Sequence, residues 1–425
     1  MPDREFDIVL FGATGFVGRL TAQHLAEQVK GAADGVRIAL AGRSLERLEE
    51  VRGELTGPAS SWPLLVVDAS DESAVRELAA RTQVVVTTVG PYLKYGKALV
   101  AACADAGTHY CDLTGEVLFV QHSVAAHHVA AQRSGARIVH GCGFDSIPSD
   151  LGVYLTWRAA QDDGAGDLTR TNLAVTRLKG GFSGGTIDSA RGQLSAAVAD
   201  PAARQALGDP WSLAEGPRPS RPAVAAGGSV AGGVGALVKR ATRALPVRRD
   251  AEGHFTAPFV MASYNVKIVN RSASLLNYGP AFRYSEYTDC GPGVRGAAMA
   301  GGMAAALGIG GVALAFGPTR RIVDPLLPKP GEGPSEEAMA RGRFAMEITG
   351  TTSTGASYRT TVAAPYDPGY SGTAIMLGQS ALALVSDSAS LPDRSGVLTP
   401  ATAIGMPLVE RLRRHQFTFA TKRTT

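Results

Sequence analysis

The 425-residue sequence has little of what marks several large protein classes. Its four cysteines, Cys103, Cys111, Cys142 and Cys290, lack paired C-x-x-C spacing. That excludes a disulfide framework and a structural zinc site, and predicts reduced thiols in a cytoplasmic protein. Charge is sparse and evenly spread: 19% of residues are Asp, Glu, Lys or Arg, with a net charge of +4. No basic run points to a nucleic-acid partner. No internal repeat recurs at a fixed period, which argues against a solenoid. Asp3, Arg4, Glu5 and Asp7 stand directly before the first apolar run, where a signal peptide would need an apolar core. Long apolar runs are missing too. The stretch Gly296 to Gly317 is uncharged between Arg295 and Arg320, yet it is mostly Gly and Ala, whose burial yields little transfer free energy. It predicts a buried helix pair, or a peripheral segment touching lipid or membrane, in preference to a span.

A 45% hydrophobic content over this length suits two globular domains. The stretch that organises the chain is Ile8 to Gly18. An apolar strand, Ile8–Phe11, runs into a loop with glycines at 12, 15 and 18, and Arg19–Gln28 continues as a helix. Gly12 takes backbone angles closed to other residues, Gly15 lets the main chain approach a pyrophosphate, and Gly18 lets the helix lie close to the strand. Ala13, Thr14, Phe16 and Val17 complete this anion-binding turn at the positive end of a helix dipole.

A second strand, Val36–Ala41, ends at Gly42, Arg43 and Ser44, about twenty-five residues past the glycine loop, where such folds read the adenosine ribose. An acidic residue there would accept from the ribose 2′-hydroxyl. None is present, and the Arg43 guanidinium with the Ser44 hydroxyl suits a 2′-phosphate, which selects NADPH over NADH. Leu64–Val67 is a third strand ending at Asp68, which either contacts adenine or caps its turn. The β-branched run Val84–Val89 reads as a central parallel strand. Its C-terminal loop, Val89, Gly90, Pro91, Tyr92, Leu93, Lys94 and Tyr95, belongs near the nicotinamide. Strand–helix alternation continues through Thr108–Asp112, a helix over 117–134 and Arg137–Gly141, so residues 1–150 predict a Rossmann-type, doubly wound parallel sheet. His122, His127 and His128 lie on that helix without further ligands at metal spacing, and predict solvated side chains.

After residue 150 the pattern changes. A helix (Leu151–Ala160) and a strand (Thr171–Leu178) precede Gly180 to Thr186, a glycine-rich opening to another helix. The segment from Pro201 to Arg249, rich in Pro, Gly and Ala, predicts long excursions. Phe259–Val269, Phe282–Thr288, Phe344–Thr352 and Tyr358–Ala364 read as strands, the last two as a hairpin. Residues 151–370 thus form an expected α+β domain on a mostly antiparallel sheet, with a Gly/Ala-rich insertion over 290–330. Two helices, Thr373–Ser386 and Ala401–Arg414, place residues 371–425 back on the Rossmann domain.

Taken together, Gly-Ala-Thr-Gly-Phe-Val-Gly (12–18), Ala-Gly-Arg-Ser (41–44), Val-Gly-Pro-Tyr (89–92), Asp-Leu-Thr-Gly-Glu (112–116) and Gly-Phe-Asp-Ser-Ile-Pro-Ser-Asp (143–150) resemble the saccharopine dehydrogenase-like oxidoreductases. Lys-Gly-Gly-Phe-Ser-Gly-Gly-Thr (179–186), Leu-Pro-Lys-Pro-Gly (327–331), Asp-Pro-Gly-Tyr (367–370) and Gly-Val-Leu-Thr-Pro-Ala (396–401) are similar to the mycobacterial trans-acting enoyl reductases within that group. The resemblance implies NADPH-dependent reduction of a carrier-bound α,β-unsaturated thioester for a polyketide synthase, in phthiocerol or phenolic glycolipid formation. The reaction needs hydride at the β-carbon, a donor for the enolate oxygen and a proton for the α-carbon. Tyr92 or Tyr95 is the candidate acid, with Lys94 lowering the phenol pKa or holding the thioester oxygen. Asp145 reads as a helix cap or, second, as a catalytic group, and Cys142 as a buried thiol. Two other functions stay open: dehydrogenation of an amino-acid-derived substrate, and a non-catalytic nucleotide-binding protein docking on a synthase or lipid. The sequence leaves the oligomeric state open, a homodimer included.

Overall fold

The structure is a computed structural model that describes residues 4–29, 35–180, 184–216, 218, 248–250, 252–315 and 333–425. Its strands in chain order are β1 (Phe6–Phe11), β2 (Ile38–Gly42), β3 (Leu64–Val66), β4 (Thr82–Thr87), β5 (His109–Asp112), β6 (Arg137–Val139), β7 (Leu168–Lys179), β8 (Arg248–Arg249), β9 (Phe255–Pro258), β10 (Arg283–Asp289), β11 (Arg343–Thr352), β12 (Ser357–Ala364), β13 (Gly396–Leu398) and β14 (Thr418–Arg423).

The first sheet is parallel throughout, in the order β13-β6-β5-β4-β1-β2-β3. Chain order reverses between β1 and β4, which opens a crevice at their C-terminal ends. The central strands are wholly buried on both faces, as their Val/Ile-rich runs require: Ile8, Val9, Leu10, Val84, Val85 and Val86 are all at 0% exposure. Helix Phe16–Gln28 follows β1 directly, three residues earlier than the sequence pattern suggests, because the glycine loop itself starts the helix with Gly15 as its N-cap.

The second sheet runs β14-β12-β11-β7-β10-β9-β8. All its pairs are antiparallel except β7 with β10. Helix Ile147–Asp162 leaves the first sheet and lies against β11 and β12. Gly152 makes the approach possible, since a Cβ there would fall on the Ile348 side chain.

Several expectations are corrected. Phe259–Val269 is not a strand: β9 ends at Pro258, and Ala262–Leu276 is a helix with Tyr264, Asn265, Ile268, Val269 and Ser272 buried. The β-branched residues there sit at helical spacing, and the surrounding core outweighs their strand preference. The single helix read over Ala401–Arg414 is broken at Gly405 (φ 64°) into Pro400–Ala403 and Met406–Arg414. The C-terminal segment also supplies β13 to the first sheet and β14 to the second, two strands that were not foreseen. Within the stretch read as long excursions, Pro201–Gly208 is helical; residues 217 and 219–247 lie outside the described residues, as do Leu327–Gly331 and 181–183. Helix Ser371–Ser386, apolar around its circumference, is packed between helix Phe16–Gln28 and strands β4 and β5. Most of the uncharged stretch is one helix, Gly293–Ala315, and among the described residues no helix is long and apolar enough to cross a membrane.

Candidate active site

The glycine loop has the geometry a dinucleotide needs. Gly12 sits at φ 94°, and a Cβ on it would press into Thr88 and Val89; a Cβ on Gly18 would fall on the Gly12 carbonyl oxygen. The Gly12 and Ala13 amides donate to Ala41 O at 2.9 and 3.3 Å, which fixes β1's exit against β2. Helix Phe16–Gln28 has no side-chain cap, so the first-turn amides from Phe16, Val17 and Gly18 keep their outward direction for an anion. A pyrophosphate therefore fits. The Phe16 ring is held edge-on by Tyr370 at 5.1 Å, with Thr14 beside Gly42.

At the adenosine end, Arg43 is exposed at the tip of β2, while Ser44 caps the next helix by accepting from Arg47 N at 3.3 Å. Asp68 is exposed and accepts from Ser70 N and Oγ at 2.8 and 2.6 Å; those bonds first, and then the nearby Arg43 charge, hold its pKa below the usual carboxylate value. Arg43 and Asp68 thus face one corner.

Beyond β4, the loop from Val89 through the cis Gly90–Pro91 peptide enters a short helical turn, Tyr92–Tyr95. Glu116 anchors it: its two carboxylate oxygens accept from Tyr92 N and Leu93 N, each at 2.8 Å, and Ser189 Oγ donates to the same carboxylate at 2.7 Å. Tyr92 is buried, stacked on Phe119 at 5.8 Å, and its hydroxyl donates to Thr87 O at 3.2 Å while accepting from Leu113 N at 3.2 Å. Burial first, and then the Asp112 charge, push its phenol pKa well up, the reverse of the lowering by Lys94 that the sequence suggested. The Lys94 ammonium lies instead over the half-buried Tyr95 ring, 4.7 Å from its centroid. Lys94 and Tyr95 are brought together; Tyr92 is bound into the wall beneath them.

A buried polar chain beside the site was not singled out in the sequence. Asp112, at the end of β5, accepts from Thr114 N (3.1 Å) and Gly141 N (2.9 Å) through one oxygen, and from Tyr110 Oη (2.9 Å) and His140 Nδ1 (2.7 Å) through the other. His140 Nε2 is 2.8 Å from Ser123 Oγ. Since the carboxylate only accepts, Nδ1 donates to it. The Asp–His–Ser order suggests a nucleophile, but all three residues are buried and their polar atoms are already bonded to one another and to the backbone, so the chain braces the loops after β5 and β6. A polar residue closing an apolar strand, Asp112 for β5 and His140 soon after β6, was the available signal.

Asp145 is also corrected: it caps nothing. Ser146 is the N-cap residue of helix Ile147–Asp162 and makes no side-chain cap bond. Among the described residues the Asp145 carboxylate has no hydrogen-bond partner, and burial pushes its pKa up to about 6. Asp150 is likewise pushed to about 6 by burial, although Ser272 Oγ and Ala401 N (2.8 Å) donate to it. His128 is not simply solvated: its Nδ1 accepts from Val397 N at 3.0 Å and holds β13.

The separate sequence motifs meet here. Phe144 N donates to Thr373 Oγ1 at 3.0 Å, Asp367 accepts from Gly369 N and Tyr370 N at 3.0 and 3.1 Å, and Asp150 joins the 399–401 turn. Gly180 packs on Asp367 so closely that no Cβ would fit.

Residues 8–139 match the saccharopine dehydrogenase NADP binding domain. A relative from Mycobacterium tuberculosis, provisionally named a trans-acting enoyl reductase, is 48% identical over 96% of each chain. A relative from Mycobacterium ulcerans named trans-acting enoyl reductase is 43% identical, again over 96% of each chain. The fold is similar to that of a saccharopine dehydrogenase from Saccharomyces cerevisiae (TM-score 0.52, 14% identity, 99% of this chain and 100% of that one). Residues 8–139 are therefore an NADP-binding domain, and this chain belongs to the saccharopine dehydrogenase-like, NADP-dependent oxidoreductases, on the branch of the mycobacterial trans-acting enoyl reductases.

Proposed function

We propose that the protein is an NADPH-dependent, trans-acting enoyl reductase. Its substrate is the α,β-unsaturated thioester of an acyl chain carried by a polyketide synthase, in the making of a cell-envelope lipid of the phthiocerol or phenolic glycolipid type. The observation that carries this reading is the end-to-end identity of 48% with a relative of that name, spanning both sheets and the loops that join them.

NADPH supplies the hydride for the β-carbon. In this reading Gly12, Ala13, Thr14, Gly15, Phe16, Val17 and Gly18 hold the pyrophosphate, Arg43 and Ser44 the 2′-phosphate, and Asp68 the edge of the adenine pocket. Val89, Gly90 and Pro91 flank the nicotinamide. Tyr92 fixes that wall, Lys94 and Tyr95 face the thioester's approach, and the α-carbon proton comes from Tyr95 or from Asp145. A carboxyl with a pKa near 6 keeps its proton in about a tenth of molecules at pH 7, enough for a fast acid. Helix Gly293–Ala315 exposes Val294 and Met299, which we assign to the acyl chain or a lipid surface.

The test is NADPH absorbance decay with long-chain enoyl thioesters on coenzyme A and on carrier protein, with NADH alongside. Carrier-dependent NADPH oxidation is expected. Cofactor binding without oxidation on any of these substrates contradicts the reading and favours a docking protein.

A further inference from the structure

Tyr264 lies in the first turn of helix Ala262–Leu276, 2% exposed, and its hydroxyl is a buried polar atom with no hydrogen-bond partner among the described residues. A buried hydroxyl left without a partner is costly and calls for an explanation. Its surroundings are specific. A Cβ placed on Gly141 would come 3.1 Å from Tyr264 Oη and 3.1 Å from Ser146 Oγ, so the phenol tip and the serine hydroxyl converge over the Gly141 backbone. Gly141 is at φ 71° and is pinned by Asp112. Ser146 Oγ is not its partner: no hydrogen bond joins the two hydroxyls, and Ser146 donates instead to Asn265 Oδ1 at 3.3 Å. Asn265 is held in turn by Ser149 Oγ and Glu286 at 3.3 and 3.1 Å. Asp112, Asp145, Cys142 and Glu116 all act electrostatically on the phenol. These residues follow β5 and β6, on the side of the switch point away from Arg43, where the nicotinamide half of a dinucleotide lies. The phenol therefore lies beside an ordered network, is kept protonated by its burial first and then by the Asp112 and Asp145 charges, and is short of one acceptor.

We propose that the Tyr264 hydroxyl donates its hydrogen bond to the carbonyl oxygen of the bound thioester. It holds that oxygen as hydride reaches the β-carbon, the C=C bond becomes the enolate and a proton then closes the α-carbon, with NADPH oxidised to NADP+. This rests on the enoyl reductase reading and adds to it a residue of the second domain. The carbonyl oxygen goes to Tyr264 in place of Lys94, whose ammonium lies over the Tyr95 ring.

Tyr264→Phe tests it, because the ring and its packing are kept and only a partnerless hydroxyl is lost. The expected result is a fall in kcat of about 100-fold, the scale for one lost oxyanion donor. NADPH affinity should be unchanged and Tm should not fall. Turnover within threefold of the parent overturns the proposal and leaves the reductase reading standing. If the parent itself reduces no enoyl thioester, the reductase reading fails, and a binding arm decides on Tyr264. Calorimetry of a β-ketoacyl-coenzyme A thioester with NADP+ present should then show at least tenfold weaker binding to Tyr264→Phe, and equal binding overturns the donor.

Discussion

Asp112 gathers four donors beside the site: the Tyr110 hydroxyl, the His140 ring, and the amides of Thr114 and Gly141 all donate to it. Removing the carboxylate leaves every one of those donors buried without a partner, so Asp112→Ala should cost about 3–5 kcal/mol in urea unfolding, far above the cost of a surface change. A loss below about 1 kcal/mol contradicts the brace. Arg43 offers the opposite test, since it is exposed. Arg43→Asp should leave Tm within a degree or two while weakening NADPH at least tenfold relative to NADH, as fluorescence titration reads directly. Equal loss for both nucleotides removes the 2′-phosphate from Arg43. The sequence exposes Arg43 because its place follows from chain distance. Tyr264 was hidden because only the fold brings it from residue 264 to a loop at residue 141.

Among the elements, the turn from β1 into helix Phe16–Gln28 was the most legible, because one local requirement dictates each glycine. Gly18→Ala puts a methyl group on the Gly12 carbonyl oxygen, so it should abolish NADPH binding and lower stability by about 1–3 kcal/mol, measured by calorimetry and thermal unfolding. Normal affinity contradicts the close packing. The helix read as strand Phe259–Val269 shows the limit of local pattern. Val266, Ile268 and Val269 favour strand, but Asn265, Lys267, Asn270 and Arg271 among them are all buried, and the partners of Asn265, Asn270 and Arg271 come from distant chain. Arg271 alone donates to Leu213 O, Glu215 and Val397 O. Strands β13 and β14 escaped for a related reason: short edge strands carry little periodicity and take their identity from β6 and β12.

Across the whole molecule, the two sheets share one continuous apolar core, and several carboxyls are caught near their junction. Burial raises Asp145 and Asp150 to about 6, and raises Glu286 as well. The folded protein binds these protons more tightly than the unfolded chain, so their stabilisation is complete below about pH 4 and is lost as pH rises through 6. Asp145→Asn should therefore match the parent in stability near pH 4 and exceed it at pH 7 by at most about 3 kcal/mol. The same difference at both pH values contradicts this. The two-sheet plan and the nucleotide end were legible in the sequence. The junction was not, because its chemistry comes from β5, β6, helix Ala262–Leu276 and the 399–401 turn together.

The most direct test of the central claim is to follow the hydride. NADPH deuterated at its transferable position, incubated with the protein and a carrier-bound enoyl thioester, should give a saturated acyl chain with one deuterium at the β-carbon and a solvent-derived hydrogen at the α-carbon, read by mass spectrometry. Deuterium consumed without appearing at the β-carbon, or the enoyl chain recovered unreduced while NADPH remains bound, contradicts it.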